Sequence, residues 1–131
     1  MRFSPALPVA LVIAALALLP SASASRAEEA PAFLLTIFLR HDQTRSLDEL
    51  QAIQKKNGFN DKFPPRGIEV VSWYVMMGIG QVVTLKVPPD RLREVNLSLE
   101  RGAWGAFKTD FYPTYDFRPV WEAERARRDA K

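Results

Sequence analysis

The chain has 131 residues, no cysteine, one histidine, and 18 Lys and Arg against 15 Asp and Glu, for a formal net charge of +3. This length suits a single domain and leaves no room for separate cofactor and substrate domains, while the lack of cysteine excludes disulfides and a lipidated-cysteine anchor. The basic excess gathers near the C-terminus, where Arg125, Arg127, Arg128 and Lys131 face Glu122, Glu124 and Asp129, so it describes a tail and not a nucleic-acid face, and no nucleic-acid partner is expected.

In chain order, the first feature is an apolar run from Ala6 to Leu19, behind Arg2 and ahead of Ala22-Ser23-Ala24. A charged start, a hydrophobic stretch short for a bilayer span, and small residues at the cleavage positions form the pattern of a secretory leader. Cleavage after Ala24 predicts a mature chain of Ser25–Lys131, periplasmic or secreted, with no membrane partner once the leader is gone. The alternative is an uncleaved anchor, for which the run is short. Residues 25–32 read as a flexible lead-in.

Phe33 to Arg40 predicts a strand, and His41 to Arg45 a polar turn. Ser46-Leu47-Asp48-Glu49 has the form of a capping box, so a helix should follow with Leu47, Leu50 and Ile53 on one face, stopped by Asn57-Gly58. The Pro64-Pro65-Arg66-Gly67 turn leads into a strand from Ile68 to Met77. Gly78-Ile79-Gly80 then reverses the chain into a third strand, Gln81 to Val87, and matches no dinucleotide fingerprint because it opens no helix. Pro88-Pro89-Asp90 opens a second helix with Leu92, Val95 and Leu99 at helical spacing, closed by Gly102. The sequon Asn96-Leu97-Ser98 falls inside that helix. A last strand runs from Phe107 to Tyr112, checked by Pro113, and residues 121–131 form either a charged terminal helix or a solvated tail.

The order βαββαβ predicts an α+β fold over residues 33–120: a ferredoxin-like sandwich with two helices on one face of a four-stranded antiparallel sheet. Alternation sorts each strand into two faces. One set is apolar and should lie under the helices: Phe33, Leu35, Ile37 and Leu39; Val71, Trp73, Val75 and Met77; Val83, Leu85 and Val87; Phe107 and Phe111. The other is mixed: Leu34, Thr36, Phe38 and Arg40; Val70, Ser72, Tyr74 and Met76; Val82, Thr84 and Lys86; Lys108, Asp110 and Tyr112. So many Leu, Phe, Tyr, Met and Val residues on the second face predict a cover, either a second subunit, a small ligand or both.

With the βαββαβ order, the stretch Arg101-Gly102-Ala103-Trp104-Gly105-Ala106-Phe107 and the aromatic end Tyr115-Asp116-Phe117, the chain resembles the dimeric α/β-barrel superfamily, and within it small muconolactone isomerase-like proteins. The resemblance covers roughly Phe33 to Val120. It implies sheet-to-sheet pairing of two copies around a pocket between their open faces. No catalytic residue of that family falls on a matching motif, so no catalytic role is carried over.

The candidate site residues come from the mixed face. Arg40 or Lys86 could hold a carboxylate, and Asp110 or Tyr74 could move a proton, with Phe38, Ser72, Met76 and Tyr112 as the lining of a partly apolar pocket. His41, followed by Asp42, is a further general-base candidate, set against the alternative of a surface turn histidine. A single histidine without cysteine gives neither a metal site nor an acyl-transfer triad, and no metal or cofactor is expected. The expectation is therefore an exported homodimer or higher homo-oligomer that binds a small organic acid or lactone, with isomerase-type proton transfer as its candidate chemistry. The alternative is a non-catalytic assembly or interaction module, in which the same polar residues satisfy one another across an interface.

Overall fold

A computed structural model of the chain describes residues 31–131; the expected leader and most of the lead-in lie outside the described residues. The elements in order are β1 (Phe33–His41), α1 (Leu47–Asn57), α2 (Phe59–Lys62), β2 (Glu69–Met76), β3 (Gly80–Val87), α3 (Leu92–Gly102), β4 (Phe107–Thr114) and α4 (Arg118–Asp129). The four strands form one antiparallel sheet in the order β2-β3-β1-β4. This is an α+β architecture compatible with a ferredoxin-like fold. No helix among the described residues is long and apolar enough to cross a membrane.

Local chemistry explains most of the boundaries. The Ser46 hydroxyl accepts from the Glu49 backbone N–H at 3.2 Å, and the Glu49 carboxylate accepts from the Ser46 backbone N–H at 2.7 Å, so the reciprocal capping box forms at the start of α1. Gly58, at φ 66°, adopts the left-handed conformation that ends the helix and whose N–H is shared between the Gln54 and Lys55 carbonyls. The chain then forms α2, a single turn just beyond the glycine stop. Its Phe59, with Phe63 just beyond, lies at the centre of the core and stacks on it with ring centroids 5.5 Å apart. Pro88 and Pro89 set a short 3₁₀ turn over Pro89–Arg91 before α3.

The core lies between the helices and one sheet face. Leu35, Ile37 and Leu39 of β1 and Val83, Leu85 and Val87 of β3 pack with Phe59, Phe63, Val95, Leu99 and Phe107. Asn57 Nδ2 donates to the Trp104 carbonyl at 2.9 Å and ties the end of α1 to the segment after α3. These two central strands carry the apolar set as alternation predicts.

The edge strands differ from the expected pattern. On β2, Val70 pairs with Leu85 and Ser72 with Thr84, so a bulge absorbs Val71 and shifts the phase of the residues before it. Val70 therefore shares the helix side with Leu85, and Glu69, opposite Lys86, moves to the open side. Val75 and Met77 are not under the helices as expected: they are 69 % and 93 % exposed, because the core forms over the middle of the sheet and β2 is its edge. Phe111, on the opposite edge strand, is likewise exposed. Strand β4 also continues through Pro113, which pairs with Leu35. An edge strand tolerates proline because the missing N–H can face outward, away from the single neighbouring strand.

Candidate functional site

The face opposite the helices is organised in rows that cross all four strands. Cross-strand partners place Tyr74 beside Val82, Val82 beside Phe38, and Phe38 beside Asp110. The adjacent row reads Ser72, Thr84, Thr36, Tyr112; beyond it lies Glu69, Lys86, Leu34, Thr114. On the other side lies Met76, Gly80, Arg40, Lys108. Eight of the nine residues expected to form the site, all but His41, thus share this face.

The two inner rows differ: one has Val82 and Phe38 at its centre, the next carries a hydroxyl on every strand, and charged residues stand toward both ends. Tyr74 and Tyr112 are 67 % and 55 % exposed, while Phe38 and Met76 are half-buried. Phe38 meets Tyr112 edge to face at 6.1 Å, and the Arg40 guanidinium lies 5.9 Å from the Phe38 ring centroid. Arg40 Nε pairs with Asp110 Oδ2 at 3.2 Å, with both side chains about half exposed. At the far margin, Lys86 Nζ lies 3.9 Å from Glu69 Oε2. Between them runs a line of hydroxyls, with Thr36 bridging Thr84 at 3.2 Å and Thr114 at 2.7 Å.

Gly80 allows this arrangement. Its φ is 150°, and a Cβ built there would lie 2.0 Å from the Leu39 carbonyl oxygen. Only glycine lets the hairpin close this tightly against β1, and Gly80 is the cross-strand neighbour of Arg40.

Tyr74 and Asp110 stand on opposite edges of the sheet. Three strand spacings separate them, about 14 Å by sheet geometry, so a small molecule cannot touch both within one copy. His41 lies apart from both. It pairs with Phe107 and stacks on that ring at 5.5 Å, which puts it on the helix side. Asp42 does not orient it: one carboxylate oxygen accepts from the Thr44 hydroxyl at 2.6 Å and from the Thr44 backbone N–H at 3.1 Å. The Thr44 hydrogen bonds hold the Asp42 carboxyl below its ordinary value. Asp42 thereby closes the turn after β1, in the manner of an Asx turn.

The sequence reading missed Glu69, Thr114 and the hydroxyl line. A glutamate in the helix-side phase of an otherwise apolar strand was a signal of the bulge, and Thr114 becomes part of β4 once Pro113 is allowed on an edge. Two surface concavities, of about 500 and 450 Å³, lie around Gln54 and Asp61 and around Arg66 and Ser98; neither includes an open-face residue. Among the described residues, no group of three or more His, Asp or Glu could hold a metal ion. Comparison with protein-family models, curated proteins and solved structures finds no match.

Proposed function

We propose that this is an exported protein whose open sheet face binds a small, partly apolar organic acid or lactone between two copies, in the manner of a dimeric α/β barrel. The observation that carries this reading is the row Tyr74, Val82, Phe38, Asp110: two proton-handling groups flanking an apolar floor and exposed to solvent in a single copy. A two-fold axis parallel to the strands lays β2 of one copy over β4 of the other, and thereby brings Tyr74 of each close to Asp110 of its mate. A lone chain would leave Tyr74, Tyr112, Phe38 and Met76 to water.

In this arrangement Arg40, with Lys108 beside it, supplies cationic charge for a carboxylate or lactone carbonyl. The Asp110 carboxylate takes a proton from carbon and returns it at another carbon, while the tyrosine hydroxyl from the second copy donates to the oxygen on which charge develops. The proton count is unchanged, as an isomerisation requires.

A second reading is favoured by a specific observation: Arg40 already has Asp110, and Lys86 already has Glu69, within one copy. Such satisfied pairs suit a non-catalytic assembly surface. Native mass spectrometry of the purified protein separates the two. The proposal expects a dimer carrying a small molecule, released by Arg40→Ala and by Asp110→Asn without loss of fold. A dry dimer whose melting temperature no small organic acid shifts would leave the assembly reading standing.

A further inference from the structure

We infer that α4 is an exchange arm, which leaves the edge of one copy and packs along the apolar edge of β2 in a second copy. This rests on the face-to-face pairing proposed above and adds to it the surface by which one sheet face falls short of a stable interface.

The first observation is that α4 has no place on its own domain. Every residue from Tyr115 to Lys131 is exposed, including Phe117, Val120 and Trp121. Among the described residues, the hydrogen bonds and ion pairs of α4 stay within residues 116–131: Asp116 with Arg118, Arg125 with Asp129, and Arg125 over the Trp121 ring. An isolated helix of 12 residues is marginal in water, so a helix of this length needs a surface to persist. Pro119 in its first turn and the turn made by Asp116 fix where it starts, but they do not supply that surface.

The second observation is a surface without a cover. Residues 70–77, Val-Val-Ser-Trp-Tyr-Val-Met-Met, carry no charge, and Val71 in the bulge, Val75 on this edge strand and Met77 just past its end are 50 %, 69 % and 93 % exposed. Long, uncharged, apolar edges are places where another chain adds. The distance along β2 from Val71 to Met77 is about 20 Å at the usual strand rise, and a helix of the length of α4 is about 18 Å long.

Area and direction identify the occupant as a second copy. A four-stranded sheet with eight-residue strands presents a face of roughly 500 Å², whereas a stable interface takes about 800 Å² from each partner. The exposed segment Tyr115 to Trp121 and the apolar edge of β2 supply surface of the size that is lacking. The same two-fold that lays β2 of one copy over β4 of the other also delivers α4 to that edge. It leaves β4 after Thr114, in the row of Glu69, which is the end where β2 begins. The chain's own β2 lies on the opposite edge of the sheet, and its own α4 covers neither that edge nor the open face.

The cysteine-free sequence makes the test direct. The full chain is expressed with its leader in place as two variants, Trp121→Cys and Val75→Cys, which are purified separately, mixed, and treated with a short thiol-to-thiol crosslinker. The inference expects a covalent product of twice the chain mass that contains one copy of each variant. It also expects Trp121→Glu to weaken self-association at least tenfold in sedimentation equilibrium, with an unchanged circular dichroism spectrum of the sheet. A dimeric wild type, together with no crosslink between the two cysteine variants and a Trp121→Glu variant that associates as tightly as wild type, would overturn the arm and leave the face-to-face dimer to be completed by other contacts. A wild-type chain that is monomeric would overturn the pairing itself, and the arm with it.

Discussion

Four residues, Ser46, Glu49, Gly80 and Asp116, show how single positions set local structure. Ser46 and Glu49 cap α1 reciprocally, and the Ser46 backbone N–H is the main cause of a Glu49 carboxyl held below its usual range. Ser46→Ala should lower unfolding stability by about 1 kcal/mol in urea titrations and leave the open face unaffected. Gly80 carries a stronger constraint, since any side chain there meets the Leu39 carbonyl. Gly80→Ala should cost about 2 to 5 kcal/mol, from backbone strain together with overpacking, and a melting curve close to wild type would contradict that assignment. Asp116 is held down to about 2 by the Arg118 guanidinium and backbone N–H. A depressed carboxyl contributes stability above its unfolded value of 3.8 and loses it as pH falls towards 2, so the start of α4 should fray across that window. The Arg118 amide signal, followed by NMR from pH 5 to about 2, should report this fraying, and Asp116→Asn should abolish its pH dependence.

At the scale of elements, the central strands and α1 were legible because their signals are local. The alternation of β1 and β3, the capping box and the glycine stop each need only neighbouring residues. Three features needed non-local information. The α2 turn forms because Phe59 and Phe63, four residues apart, both reach the core, a spacing visible in the sequence but overshadowed by the helix stop at Gly58. The β2 bulge shifts a strand by one residue, so alternation put Val70 on the open face and gave no place there to Glu69. Pro113 was read as a strand end, whereas the sheet order makes β4 an edge where proline fits. Trp73 lies on the helix side, as alternation expects. It packs against Phe59 and Phe63 at 6.4 and 5.7 Å, but keeps 36 % exposure and donates to Gln81 at 2.6 Å. Trp73→Ala should therefore cost about 3 kcal/mol, at the lower limit for a large aromatic, with the loss read from chemical denaturation.

At the scale of the whole molecule, the expected site residues fall into two groups for a physical reason. Arg40, Phe38, Ser72, Tyr74, Met76, Lys86, Asp110 and Tyr112 share one sheet face, because alternation is reliable in phase from Ser72 onward and along β1, β3 and β4. His41, a separate general-base candidate weighed against a surface turn histidine, pairs with Phe107 and faces the other side. The separation of Tyr74 from Asp110 was not legible, since it depends on strand order. That separation is why the proposed pairing matters: within one chain the two groups stand on opposite edges, and the proposed two-fold would bring them together. The most direct test is sedimentation equilibrium of the wild-type chain at micromolar concentration beside Phe38→Asp, which places a charge at the middle of the face while leaving the helix-side core untouched. A dimer is expected for the wild type and a folded monomer for Phe38→Asp; a wild-type chain that sediments as a stable folded monomer would overturn the pairing.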